Sequence, residues 1–126
     1  MMSHFCVWID HYQAKIFNVT DDVDVNAIDD QKPRHHIHRT SDHVGLGTEP
    51  MSAAFLNEVA TALQPAKAIF IVGPGRAKTD LAGCLNEHFP AIAKQIWAIE
   101  PMDHPSDAEL IDTARKYFRA AIRMHR

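Results

Sequence analysis

Cysteine is scarce in this chain: only Cys6 and Cys84 occur among its 126 residues. A disulfide-stapled secreted fold is therefore not indicated. Cys6 sits in an apolar run, and Cys84 follows Gly83 inside a helical pattern. Both read as small buried residues, which fits a reducing cytoplasm. Long apolar runs are also missing. The longest, Ala68 to Val72, is far too short to span a bilayer, so no membrane partner is expected. Met1-Met2-Ser3-His4 offers no basic region leading into an apolar stretch, and no signal peptide is visible. Nor is there an excess of positive charge. The formal net charge is -3, so a nucleic-acid contact would need a local patch rather than a global field.

What is present describes one globular domain over residues 1–126. Hydrophobic residues make up 46% and charged residues 23%, close to globular averages, which argues against low-complexity disorder for most of the chain. The length suits a single core that needs no staples.

His4 to Asp10 is rich in Val, Ile and aromatics and reads as a strand. Asp10-His11-Tyr12-Gln13 is a polar turn, and Ala14 to Thr20 reads as the second strand of a hairpin. Asp21 to Asp30 carries five Asp and no basic residue, with Val23, Val25 and Ile28 available for a short edge strand. Lys32 to Arg39 is basic and His-rich, either a strand or a loop, and Ser41 to Glu49 is a polar loop. Pro50 suits the first turn of a helix whose stripe is Phe55, Leu56, Val59, Ala60 and Leu63, ended by Pro65. Ala66 to Val72 reads as a strand buried on both faces, as in a parallel sheet. After Gly73-Pro74-Gly75, a helix places Ala77, Leu81, Cys84, Leu85 and His88 along one side until Pro90 interrupts it. Ile96 to Glu100 is a final strand. Ser106 and Glu109 have capping-box spacing ahead of a long amphipathic helix through Leu110, Ile111, Ala114, Tyr117, Phe118, Ala121 and Ile122. An antiparallel start followed by alternating strands and helices predicts an α/β fold: a mixed five-stranded sheet with helices on both faces, in ribonuclease H-like element order.

The run Ile69-Phe70-Ile71-Val72-Gly73-Pro74-Gly75, followed by Lys78-Thr79-Asp80-Leu81, resembles a segment of the middle domain of class-1 peptide release factors and Pelota. It matches that domain's strand, small-residue turn and Lys-Thr-acidic-Leu helix start. The opening strand pair and the final strand with its helix are also similar, so the resemblance covers roughly His4 to Phe118. It is also similar to small stand-alone bacterial proteins described as translational machinery proteins. The resemblance implies a translation setting, with the ribosome, tRNA or rRNA as partners. In release factors a loop before the first helix carries a Gly-Gly-Gln tip that positions water at the peptidyl-tRNA ester. The corresponding residues here are His43-Val44-Gly45-Leu46-Gly47-Thr48. Only Gly45 and Gly47 echo that tip and no Gln follows, so the hydrolase role does not carry over.

Several constellations have chemical readings beside plainer ones. His35, His36, His38 and His43 fall within nine residues. In a strand His36 and His38 would share a face, and with His104, Asp42 or His43 they would suit a divalent metal such as zinc. The plainer reading is a solvated loop or edge strand ordered by a homo-oligomer contact. A third reading is nucleic-acid contact through Lys32, Arg34 and Arg39 with His stacking. Gly73-Pro74-Gly75 feeds a helix N-terminus flanked by Arg76 and Lys78, which would hold a phosphate, although the spacing is not that of a phosphate-binding P-loop. A tight strand-to-helix turn explains the same glycines. Asp10 and Glu58 give an incomplete carboxylate set for two-metal nuclease chemistry, and Asp10 reads better as a turn residue. Asp103 and His104 could do acid–base work, but sequence neighbours rarely orient each other so. Arg115, Arg119 and Arg123 line the last helix, either as its ordinary basic end or as a phosphate-contacting stripe.

The reading these features support is a translation-associated binding module for ribosome, RNA or protein, without peptidyl-tRNA hydrolase activity. The alternative is a metal-dependent hydrolase built on the His-rich loop.

Overall fold

The computed structural model describes residues 3–19, 24–29 and 51–124. Within them the elements are β1 (His4–Ile9), β2 (Gln13–Asn18), β3 (Asp24–Asp29), α1 (Ala53–Ala62), β4 (Ala68–Gly73), α2 (Ala77–His88), α3 (Pro90–Ala93), β5 (Ile96–Pro101) and α4 (Asp107–Met124). The strands form one mixed sheet in the order β3-β2-β1-β4-β5. β1 and β2 pair antiparallel, as do β2 and β3, whereas β4 runs parallel to β1 and β5 to β4. This is the mixed five-stranded α/β sheet expected from the sequence. The stretch holding His35, His36, His38, His43, Gly45, Gly47 and Pro50 lies outside the described residues.

Side chains alternate across a strand, and both faces of the central strands are buried. Phe5, Val7 and Ile9 of β1 and Ile69 and Ile71 of β4 pack under Phe55, Val59, Leu81 and Leu85 from α1 and α2. Cys6, Trp8, Phe70 and Val72 point the other way and pack under Leu110, Ala114 and Phe118 of α4. All six residues of β4 are buried, which is why its sequence is a continuous apolar run rather than an alternating one. Helices thus cover both faces. The α4 layer is largely aromatic. Tyr117 stacks on Phe70 with ring centroids 4.1 Å apart, and His4 stacks on Phe118 at 4.9 Å. Trp97 meets Phe118 edge-on at 5.9 Å. Truncating a ring as buried as Phe118 costs about 3–5 kcal/mol.

Local sequence explains most boundaries. The Asp10 carboxylate accepts from the backbone N–H of Tyr12 (2.8 Å) and of Gln13 (2.9 Å), closing the β1–β2 turn. The Ser52 hydroxyl accepts from Phe55 N–H and caps α1, so the helix starts after the position that Pro50 was expected to fill. Ser106 and Glu109 form a reciprocal capping box. The Ser106 N–H donates to Glu109 Oε1 at 2.8 Å, and the Glu109 N–H donates to Ser106 Oγ at 3.1 Å. Four expectations need correction. Cys84 is half-buried rather than buried, and Ile122 is exposed near the end of α4. His88 is exposed at the end of α2, and Ala82 takes the buried place beside Leu81 and Leu85. Pro90 does more than interrupt α2, because it occupies the first turn of the short α3. No helix among the described residues is long and apolar enough to cross a membrane.

The turn after β4 shows where glycine is required. A Cβ on Gly73 would lie 2.1 Å from the Ile9 carbonyl oxygen, a backbone atom that cannot swing aside. Gly75 has φ +63° with open space around its would-be Cβ. Gly73→Ala is therefore expected to destabilise by ~1–3 kcal/mol or more through forced separation of β1 from β4. Gly75→Ala should cost only the left-handed backbone penalty, about 1 kcal/mol. Urea melts of the two variants check that order.

Candidate functional site

The carboxyl ends of β1, β4 and β5 lie at one edge of the sheet, where ligands of open α/β sheets usually bind. Three connections meet there: the β1–β2 turn, the Gly73-Pro74-Gly75 turn into α2, and residues 102–106 between β5 and α4. Two contacts knit them together. The Met102 N–H donates to the Gly73 carbonyl at 3.1 Å, and His11 Nε2 lies 3.9 Å from Asp80 Oδ2 in the first turn of α2.

The most structured part of this edge surrounds His104. The Trp8 indole N–H donates to the Asp103 carbonyl at 2.7 Å, tying β1 to a residue 95 positions away. The His104 ring leans on Trp8 with centroids 5.2 Å apart and planes at 58°. Its Nδ1–H donates to Asp103 Oδ1 at 2.9 Å. The sequence reading discounted that orientation between neighbours, and the structure shows it. What holds the pair in place is Trp8, and no local pattern announces such a distant partner. Beside the ring is a small cleft of about 140 Å³ that reaches Gln13, Lys15 and Leu110. The Lys15 ammonium donates to Asp107 Oδ1 across it at 3.0 Å, a pairing equally invisible in sequence.

The other expected site residues are distributed as follows. His104 was expected beside His36 and His38 as a metal ligand; the latter two lie outside the described residues. Among the described residues, no group of three or more His, Cys, Asp or Glu side chains is placed to hold a metal ion. Asp10 spends its carboxylate on the β-turn, and Glu58 is exposed on α1, across the sheet from α4. Arg76 and Lys78 stand at the start of α2, where Arg76 makes no side-chain cap. The Lys78 ammonium folds back to donate to the Gly75 carbonyl.

Arg115, Arg119 and Arg123 are all exposed on α4, opposite its buried residues Leu110, Ala114, Phe118 and Ala121. Successive arginines four residues apart advance about 6 Å along the axis and form one stripe. Among the described residues none of the three has a carboxylate partner, whereas neighbouring Lys116 pairs with Asp112 at 3.1 Å. Because α2 and α4 cover opposite faces, Arg76 and Lys78 do not join this stripe in a single patch.

Burial also shifts several titrations. It pushes the Cys6 thiol up to about 12. It raises Cys84 as well, with the nearby Glu87 adding to the effect. Both cysteines are free. Burial, and then the charge of Glu100, raises Tyr117. Burial lowers His4 below its ordinary value.

No protein-family model and no curated sequence matches the chain. Solved structures do. The chain is similar to Pelota of Archaeoglobus fulgidus with a TM-score of 0.63 and 18% identity, over 90% of this chain and 31% of that one. Pelota of Thermoplasma acidophilum gives a TM-score of 0.58 at 15% identity, over 87% and 30%. An archaeal translation termination factor gives 0.56 at 17%, over 98% and 39%. The chain therefore has a fold found in Pelota and release-factor proteins, and it spans about a third of the length of the structures it matches.

Two measurements check the electrostatics. A histidine held below its ordinary pKa is stabilising as the neutral ring. Its contribution is whole above that value and is lost as the pH falls beneath it. Wild type should thus lose urea resistance as the pH falls below the ordinary histidine value of about 6.5, and His4→Phe should lose less. In native protein a thiol reagent should modify Cys84 slowly and leave Cys6 untouched until the chain is unfolded.

Proposed function

We propose that this chain is a translation-associated binding module that contacts RNA of the ribosome or tRNA through the outer face of α4, and that it does not hydrolyse peptidyl-tRNA. The observation that carries the reading is the likeness of the whole sheet and its helices to Pelota and to a translation termination factor. The arginine stripe supports the choice of ligand, because three exposed guanidinium groups free of carboxylates among the described residues suit a phosphate backbone. Gly45-Leu46-Gly47-Thr48, which the sequence resemblance sets against the Gly-Gly-Gln of release factors, supports the second half. The metal-dependent hydrolase alternative depends on His36 and His38. Among the described residues His104 belongs to no group of three or more His, Cys, Asp or Glu side chains placed to hold a metal ion, so the alternative draws no support from it.

The test is recovery of RNA with tagged protein from cell lysate, with and without ribonuclease, followed by binding to purified ribosomes over a salt series. Ribosomal RNA should be recovered and should disappear on ribonuclease treatment. The triple variant Arg115→Glu, Arg119→Glu, Arg123→Glu should keep the wild-type circular dichroism. Its salt dependence of log K should be shallower by about 2, the slope of three lost single-strand phosphate contacts. Retention of no RNA, or wild-type binding by the triple variant, would overturn the proposal.

A further inference from the structure

We infer that the cleft beside His104 is a subsite for one unstacked base of single-stranded RNA, with the His104 ring as the surface on which the base stacks. This rests on the reading of α4 as an RNA-contacting helix and adds to it a place for a base.

Size narrows the ligand first. At about 140 Å³ the cleft is well below the ~300–1,000 Å³ of ordinary small-molecule pockets, which leaves out a whole nucleotide cofactor and leaves room for one ring. The next argument is the preparation of His104. Its side chain is 64% exposed, yet Trp8 supports one side of the ring and Asp103 holds Nδ1. Asp103 is itself fixed through its carbonyl by the Trp8 indole N–H. An exposed ring already held in position loses little freedom when a second ring stacks on it, which favours binding. Histidine is among the side chains on which single-stranded RNA bases stack.

Charge then separates a base from a bare anion. The Asp107 carboxylate lines the cleft beside Lys15, and Asp103 stands behind His104. Two carboxylates disfavour a lone phosphate. Together the Lys15 ammonium, the Gln13 amide and Asp107 supply both donors and acceptors, which suits the mixed edge of a base. Placement completes the case. Asp107 and Leu110 of α4 form one wall, and Arg115 follows Asp107 by about 12 Å along the same helix. A strand whose phosphates follow the arginines can turn a base into the cleft at the start of α4.

The test compares a short oligouridine with an abasic ribose-phosphate oligomer of the same length, by fluorescence anisotropy and by Trp8 emission in a Trp97→Phe background. Wild type should bind the oligouridine at least about 5-fold more tightly, as expected for one stacked base, and its Trp8 emission should change. His104→Ala should abolish that preference and His104→Phe should retain it, which separates stacking from a hydrogen-bonding role. Arg119→Glu should weaken both oligomers alike. Equal binding of the two oligomers by wild type, or a preference that survives in His104→Ala, would overturn the base subsite and leave the α4 stripe standing. Binding of neither oligomer would overturn the α4 reading and the subsite with it.

Discussion

The parallel pairing of β1 with β4 is the contact on which the rest of the molecule depends. Both strands are buried on both faces, so each supplies two layers of core at once. The pair closes tightly enough at its carboxyl end that Gly73 sits against the Ile9 carbonyl. That closeness sets the height of the turn into α2. It also brings the Met102 N–H to the Gly73 carbonyl, so the connection after β5 is placed by the same strands. The Trp8 side chain leaves β1 on the α4 side and fixes Asp103 from beneath. The candidate site is therefore built on rigid strands, although its polar side chains sit on loops.

How much of this was legible in sequence depended on the range of the interaction involved. The apolar run of β4, the Asp10 turn and the Ser106–Glu109 box are each set by residues a few positions apart, and each could be read directly. His88 shares the side of α2 that holds Ala77 and Leu81 but is exposed because residues 86–88 at the helix end are all exposed, while Ala82, midway along the helix, faces inward. The irregular register of β5 was also hidden. A shift between Ile69 and Phe70 lets Trp97 and Ala98 pack into the same layer, which strict alternation forbids. The Asp103–His104 pair looked unremarkable because its organiser, Trp8, is 95 residues upstream. The Lys15–Asp107 pair is hidden for the same reason, at a separation of 92 residues.

The net charge of -3 is unevenly distributed over the molecule. Arg115, Arg119 and Arg123 concentrate positive charge on one helix surface, away from the capping carboxylates at its start. Arg76 and Lys78 lie across the sheet, and the Lys78 charge is partly spent on the Gly75 carbonyl. Local arrangement rather than total charge thus decides which surface an anionic polymer meets first.

The two faces of the sheet also differ in when they can be closed. One is covered by α1, α2 and α3, which lie in sequence among the strands they protect. Among the described residues the other is covered by α4 alone, which follows all the strands described. During synthesis Trp8, Phe70 and Val72 can form their sheet yet, among the described residues, have nothing to cover them until α4 has emerged. The nascent sheet therefore passes through a one-sided stage with an open aromatic layer, the kind of surface that chaperones shield and that aggregation exploits.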